Sequence, residues 1–130
     1  MVDEQAKAQT AAAEEITIFD KIVRKEIPAT IIYEDDKCLA FRDIAPCAKV
    51  HFLVIPKDRD GLSGLCKAED RHAALLGHLM VAAAKTAEQE GMGQTGYRLV
   101  INDGKHGCQS VYHIHIHVIG GQQLSWPPGV

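Results

Sequence analysis

Three histidines, His113, His115 and His117, alternate with Ile114 and Ile116 in the stretch SVYHIHIHVIGG. In a strand, residues two apart project from one face. The imidazoles would then form a row at steps of roughly 6.6–6.8 Å, while Tyr112, Ile114, Ile116 and Val118 face a core. Three such rings buried among apolar groups would each need hydrogen-bond partners. Two chemistries suit the row. Histidines at alternate strand positions can bind zinc. Imidazole is also a nucleophile near neutral pH, and its neighbours can donate to phosphate oxygens.

The surrounding residues favour phosphate. The loop NDGKHGCQS brings Gly104 and Gly107 just before the row and Ser110 beside it. Glycine loops free backbone N–H groups for an anion-binding concavity, and a serine hydroxyl adds a donor. No acidic or thiolate cluster at zinc spacing accompanies the histidines, and Asp103 and Cys108 are weak substitutes.

The elements that must position this row can be read along the chain. Its 130 residues, 46% hydrophobic and 24% charged, suit one domain with a core of its own. Residues 1–15, rich in Ala and polar side chains, read as a disordered arm with marginal helix propensity, leaving residues 16–130 as the single domain. Ile18, Phe19, Ile22 and Val23 have helical spacing, closed by Pro28. TIIYEDDKCLAFRDI reads as two strands about the acidic turn Glu34-Asp35-Asp36. VHFLVIPK, apolar on both faces, suits a central strand ending at Pro56.

One long helix is expected from about residue 67 to 90, with Leu76, Leu79, Met80, Ala83 and Ala87 as its apolar stripe. YRLVIND and SVYHIHIHVI are the last two strands, expected to form a hairpin through a short connection. The order predicts an α+β fold with a mainly antiparallel sheet.

Charge and cysteine usage narrow the partners. The net charge is −3 and the basic residues are scattered, so a nucleic-acid partner is not expected. Cys38, Cys47, Cys66 and Cys108 form no C-x-x-C pair and read as free thiols of a reducing compartment. No apolar run reaches 18 residues, so no membrane span is expected. With no signal-peptide pattern, a cytoplasmic protein is the expectation, with entry to the nucleus open.

The motif HIHIHVI fits the pattern His-x-His-x-His-x-x with apolar x. Together with DKIVRKEIPATIIYEDDKCLAFRDIAP, HFLVIPK, LLGHLM, GCQSVYHIHIHVIGG and the ending WPPG, it resembles the Hint branch of the histidine triad superfamily, the histidine triad nucleotide-binding proteins. The resemblance runs from about Ile18 to Gly129. It implies a five-stranded antiparallel sheet with one long helix and a short N-terminal helix, joined across a homodimer into ten strands. The implied activity is hydrolysis of purine nucleoside phosphoramidates, and of acyl-nucleotides, without a metal or other cofactor.

Carried onto this chain, the resemblance makes His115 the nucleophile that forms a nucleotidyl-imidazole intermediate. His113 and His117 would hold phosphoryl oxygens or the leaving group. His51 would relay a proton to the departing amine, working with His113. Ser110 and the backbone N–H groups near Cys108 and Gln109 would contact phosphate, and Asn102 the ribose or phosphate side. Trp126 would cross to the partner subunit at the leaving-group side.

Phe41, Ile44, Phe19 and Ile22 could form an apolar slot for a purine, or simply core. Asp43 could accept both ribose hydroxyls, or cap a turn. One residue departs from the family: Cys108 stands where glycine is usual, and its Cβ restricts the backbone if a positive φ is required. Two rival functions stay open, a dinucleoside polyphosphate hydrolase and a nucleotide-binding interaction protein with incidental hydrolysis. A transferase is disfavoured, because that branch carries Gln where His117 stands.

Overall fold

The computed structural model describes residues 4–10 and 15–129. Its five strands are β1 (Ile31–Glu34), β2 (Cys38–Arg42), β3 (Val50–Pro56), β4 (Tyr97–Val100) and β5 (Ile116–Gly120). They form one antiparallel sheet in the order β1-β2-β3-β5-β4. The α+β class and the five-stranded sheet are as expected, and β3 is central.

Strand alternation divides the interior into two layers. Cys38, Ala40, Phe52, Val54, Ile116 and Val118 face the long helix α3 (Ala73–Gln89). Leu39, Phe41, Leu53 and Ile55 face the other way, toward Phe19 and Ile22 of α2 (Ile18–Val23). The doubly apolar run in β3 follows from this, since both of its faces are covered.

Helix α2 starts on a capping box. The Phe19 N–H donates to Thr17 Oγ1 at 3.2 Å, and the Thr17 N–H donates to Asp20 Oδ2 at 2.7 Å. It ends at Arg24, where Lys25 turns to φ 62°, before Pro28 can act. Helix α3 is shorter than the expected 67–90, because Leu65–Lys67 and Asp70–His72 close as separate 3₁₀ turns. Its buried face is Leu79, Ala82, Ala83, Thr86 and Ala87, and Met80, expected in the stripe, is exposed.

β4 and β5 pair as a hairpin, but their connection is long, residues 101–115. Only His117 of the histidine row lies in a strand. The backbone ahead of it is engaged elsewhere: the Ile114 N–H donates to the Leu62 carbonyl at 2.9 Å. Part of the N-terminal arm is helical as well. Helix α1 (Glu4–Thr10) is docked, with Ala8 buried. Residues 1–3 and 11–14, also expected to be disordered, lie outside the described residues.

Candidate active site

A cavity of about 420 Å³ opens on the α2 side of the sheet. Phe19, Ile22, Phe41, Asp43, Ile44, Ser110, His115 and His117 border it, all expected site residues. Leu53 and Val111 also line it; both are ordinary apolar residues in the sequence, and nothing there marked them as wall. The apolar end is built by the same packing that forms the second core layer. Phe19 sits edge-on to Phe41 at a centroid distance of 5.6 Å and edge-on to His115 at 5.0 Å. Ile44 is 96% exposed, so it is a rim residue and not a packed one.

The histidines hold defined tautomers, because their partners leave little choice. His115 Nδ1 lies 2.9 Å from the His113 carbonyl oxygen. A carbonyl only accepts, so Nδ1 carries the proton and Nε2 carries the lone pair. The second chain of bonds begins at the Cys47 N–H, which donates to His51 Nδ1 at 3.1 Å. His51 Nε2 therefore carries the proton and donates to His117 Nδ1 at 3.0 Å. His117 Nε2 must then be an N–H. It is buried and meets no acceptor among the described residues. A buried donor left without an acceptor is destabilising, and a phosphoryl oxygen in the cavity would supply one.

Burial keeps these rings neutral. It lowers the pKa of His51, His113 and His115 and takes His117 down to about 3. The neutral form is the one that can act as a nucleophile.

His113 is fully enclosed and does not border the cavity. Its Nε2 donates to the Pro56 carbonyl at 2.8 Å, and Nδ1 faces Asp20 Oδ1 at 3.7 Å. His51, expected to relay a proton together with His113, is also behind the wall and is bonded to His117. Asp20 and Arg59 were missed as supports. The helical spacing read there rested on the apolar residues and passed over Asp20. Arg59 donates to the Tyr112 carbonyl at 2.5 Å and lies 3.8 Å from Asp20, and no local pattern announces that.

Asp43 both caps a turn and faces the cavity. Its Oδ1 accepts the Ala45 N–H at 2.8 Å, and Oδ2 lies 3.4 Å from His51 Nε2. A carboxylate has about four acceptor positions, so ribose hydroxyls can still bind.

The loop before the histidines differs most from expectation. The N–H groups of Cys108 and Gln109 do not point to an anion; they close turns onto the Lys105 and Gly104 carbonyls at 3.2 and 3.0 Å. The buried Gln109 side chain is an internal strut. It accepts the Gly104 N–H at 2.9 Å and donates to the Ser63 and Val111 carbonyls at 2.6 and 3.1 Å. Asn102 donates to the Cys108 carbonyl at 3.4 Å and is not on the wall. Gly107 is required here, since a Cβ would stand 2.4 Å from the Asp103 carbonyl oxygen. Trp126, expected at the partner's site, is 82% exposed.

Cys108 does adopt the positive φ that its position raised as a concern, at 64°. A left-handed conformation costs a non-glycine residue about 1–2 kcal/mol, against which glycine loses more unfolded-state entropy. Cys108→Gly is therefore expected to stabilise the chain by about 0.5–1 kcal/mol, read from the urea midpoint at constant m-value. A loss of stability would show that the thiol's packing outweighs the backbone strain.

Residues 24–124 match the family described as HIT domain. The chain is 58% identical over 127 residues to adenylylsulfatase HINT1 of Arabidopsis thaliana, covering 98% of this chain and 86% of that one. It is 63% identical over 113 residues to a 14 kDa zinc-binding protein of Zea mays, covering 87% and 88%. A HIT family hydrolase from Legionella pneumophila superposes with a TM-score of 0.84 at 46% identity, covering 88% of this chain and all of that one. The chain belongs to the histidine triad family of hydrolases, in its Hint branch.

Proposed function

We propose that the chain is a purine nucleoside phosphoramidase, cleaving the P–N bond of nucleoside 5′-phosphoramidates through a nucleotide bound covalently to His115. One observation carries this reading. The cavity is bordered by an imidazole whose Nε2 holds a lone pair and by a second whose Nε2–H lacks an acceptor.

The lone pair on His115 Nε2 forms a bond to the α-phosphorus as the P–N bond breaks. The amine departs with a proton from water. The ring, now cationic, keeps its Nδ1–H on the His113 carbonyl. His117 Nε2–H donates to the phosphoryl oxygens, where fixed donors need no reorganisation. The hydroxide left from that water, or its equivalent, then attacks phosphorus, the P–Nε2 bond breaks, and the nucleotide leaves. His51 and His113 stand behind the reacting rings, so we assign them positioning roles: His51 sets the His117 tautomer and His113 supplies the carbonyl.

We infer a homodimer as well. Strand β4 is a sheet edge, and Trp126 and Tyr97 leave apolar surface exposed. Pairing of such edges would give the expected ten strands.

The zinc-binding name of a relative raises a metal reading. Two trios of donors come together among the described residues, Asp35-Cys38-His78 and Asp43-His51-His117. In the first, Asp35 already accepts from the Lys37 and Cys38 amides, Tyr33 and His78. Burial pushes the Cys38 thiol up to about 12. In the second, His51 Nε2 and His117 Nδ1 are engaged with each other. Neither trio fits a zinc ion without breaking its own bonds.

The test is turnover of a fluorogenic adenosine phosphoramidate, with and without a chelator. Multiple turnovers, unchanged by chelation, are expected. Absence of turnover sinks the phosphoramidase reading, and chelator-sensitive turnover replaces it with metal catalysis. Adenylyl sulfate belongs in the same assay, because the Arabidopsis relative is named for that bond.

A further inference from the structure

Helix α1 borders the same cavity as the histidines, through Glu4 and Lys7. Glu4 Oε2 accepts a hydrogen bond from the Ser110 hydroxyl, the donor expected to hold phosphate. The Glu4 charge lies close enough to favour the charged forms of His115 and His51. Lys7, 3.9 Å from the other Glu4 oxygen, balances it at the exposed side.

A helix of seven residues is far below the length that is stable alone in water. Its presence has to come from docking, and the docking contacts are visible: Ala8 is 2% exposed, and Glu4 is bonded across the cavity. A carboxylate resembles a phosphoryl group in charge and in offering two coplanar acceptor oxygens. Among the described residues, no carboxylate occupies the apolar end of the cavity, beside Ile22 and Phe41.

We propose that α1 is an intramolecular competitor of the nucleotide phosphate, with the Glu4 carboxylate seated on Ser110 in its place. The inference rests on the nucleotide reading above. Phosphate-bearing ligands must displace α1, and a nucleoside without phosphate need not. Affinity for AMP is lowered by the fraction of molecules in which α1 is docked, while affinity for adenosine is not.

The experiment compares AMP and adenosine binding by calorimetry for the full chain, Glu4→Gln and Ala8→Gln. The first variant removes the charge. The second puts a neutral side chain too large for the seat of Ala8 and undocks the helix without touching Ser110. Each is expected to tighten AMP by roughly tenfold, the order expected for one hydrogen bond to a charged group, and to leave adenosine unchanged. Hydrogen exchange at the α1 amides should speed up in the full chain when AMP, but not adenosine, is saturating.

Unchanged AMP affinity in both variants overturns the competitor, as does equal tightening of both ligands. If neither AMP nor adenosine binds any of the three proteins, the nucleotide reading itself has failed.

Discussion

His115→Ala is expected to lose turnover of an adenosine phosphoramidate by roughly four orders of magnitude or more, the scale seen when a covalent nucleophile is removed. The cause is specific. No other ring at the cavity has a lone pair directed by a fixed tautomer: His117 Nδ1 is bonded to His51, and His117 Nε2 is a donor. The lost side chain also opens space beside Phe19, whose ring stands 5.0 Å from it. Binding of AMP should change by less than tenfold, because Asp43, Ser110 and the apolar wall remain. His117→Ala should cost less, roughly 10²–10³ in kcat, as the removal of one donor from a charged transition state does.

Rapid-quench mass spectrometry gives a second readout. Wild type should carry a nucleotide adduct on the peptide containing His115, and the variant none. An adduct on His115→Ala, or a loss of less than tenfold in kcat, would remove His115 from the role of nucleophile.

How far the sequence reaches can be judged residue by residue. Period-two alternation found both layers of the sheet, because strand residues have only two faces to choose from. It assigned the doubly apolar β3 to the centre, while Phe19 and Ile22, read by helical spacing as slot or core beside Phe41, pack with it on the layer that becomes the cavity wall. The same period misread the histidine row as one continuous strand. Residues 113–115 give their backbone groups to Leu62 and to a side chain of their own segment, and no local pattern carries that information.

The phosphate loop was misread for a related reason. Glycine content signals that a backbone can turn tightly, but not whether its amides face a ligand. Here Gln109 and the turn carbonyls take three of them, those of Gly104, Cys108 and Gln109. Met80 fits the apolar stripe of α3 by spacing, yet the sheet contacts the helix along alanines, and the longer side chain is left outside. Most distant from any sequence signal is α1. Its composition states only that it can be helical, and its position depends on the seating of Ala8 and on a carboxylate reaching Ser110.

Stability is expected to fall steeply as the pH drops from 7 to 5, before any carboxylate titrates strongly. Four histidines, His51, His113, His115 and His117, are buried with lowered pKa values. In the unfolded chain each takes up a proton near 6.5, and in the folded chain each resists it. Between those two values the unfolded state binds more protons, so unfolding free energy rises with pH. The stabilising contribution is therefore complete above about pH 6.5. For His117 it is lost progressively down to about pH 3.

One pKa unit corresponds to about 1.4 kcal/mol. Going from pH 6.5 to pH 5, His117 alone removes on the order of 2 kcal/mol, and the other three add to it. This is a large share of the roughly 5–15 kcal/mol that holds a domain folded. Asp20 and Asp35 have lowered pKa values and also contribute stability that acid removes. Their loss begins only near the ordinary carboxylate range, around pH 4, so the two sources separate on the pH axis.

Urea unfolding at half-unit steps from pH 7.5 to 4.5 measures the slope. His117→Gln lowers stability at every pH by losing the bond to His51, but it should also flatten the slope by about one proton over the lower part of that range, below about pH 6. A wild-type curve that stays level between pH 7 and 5 would mean that the rings are solvated, and the neutral nucleophile on which the proposed chemistry depends would lose its physical basis.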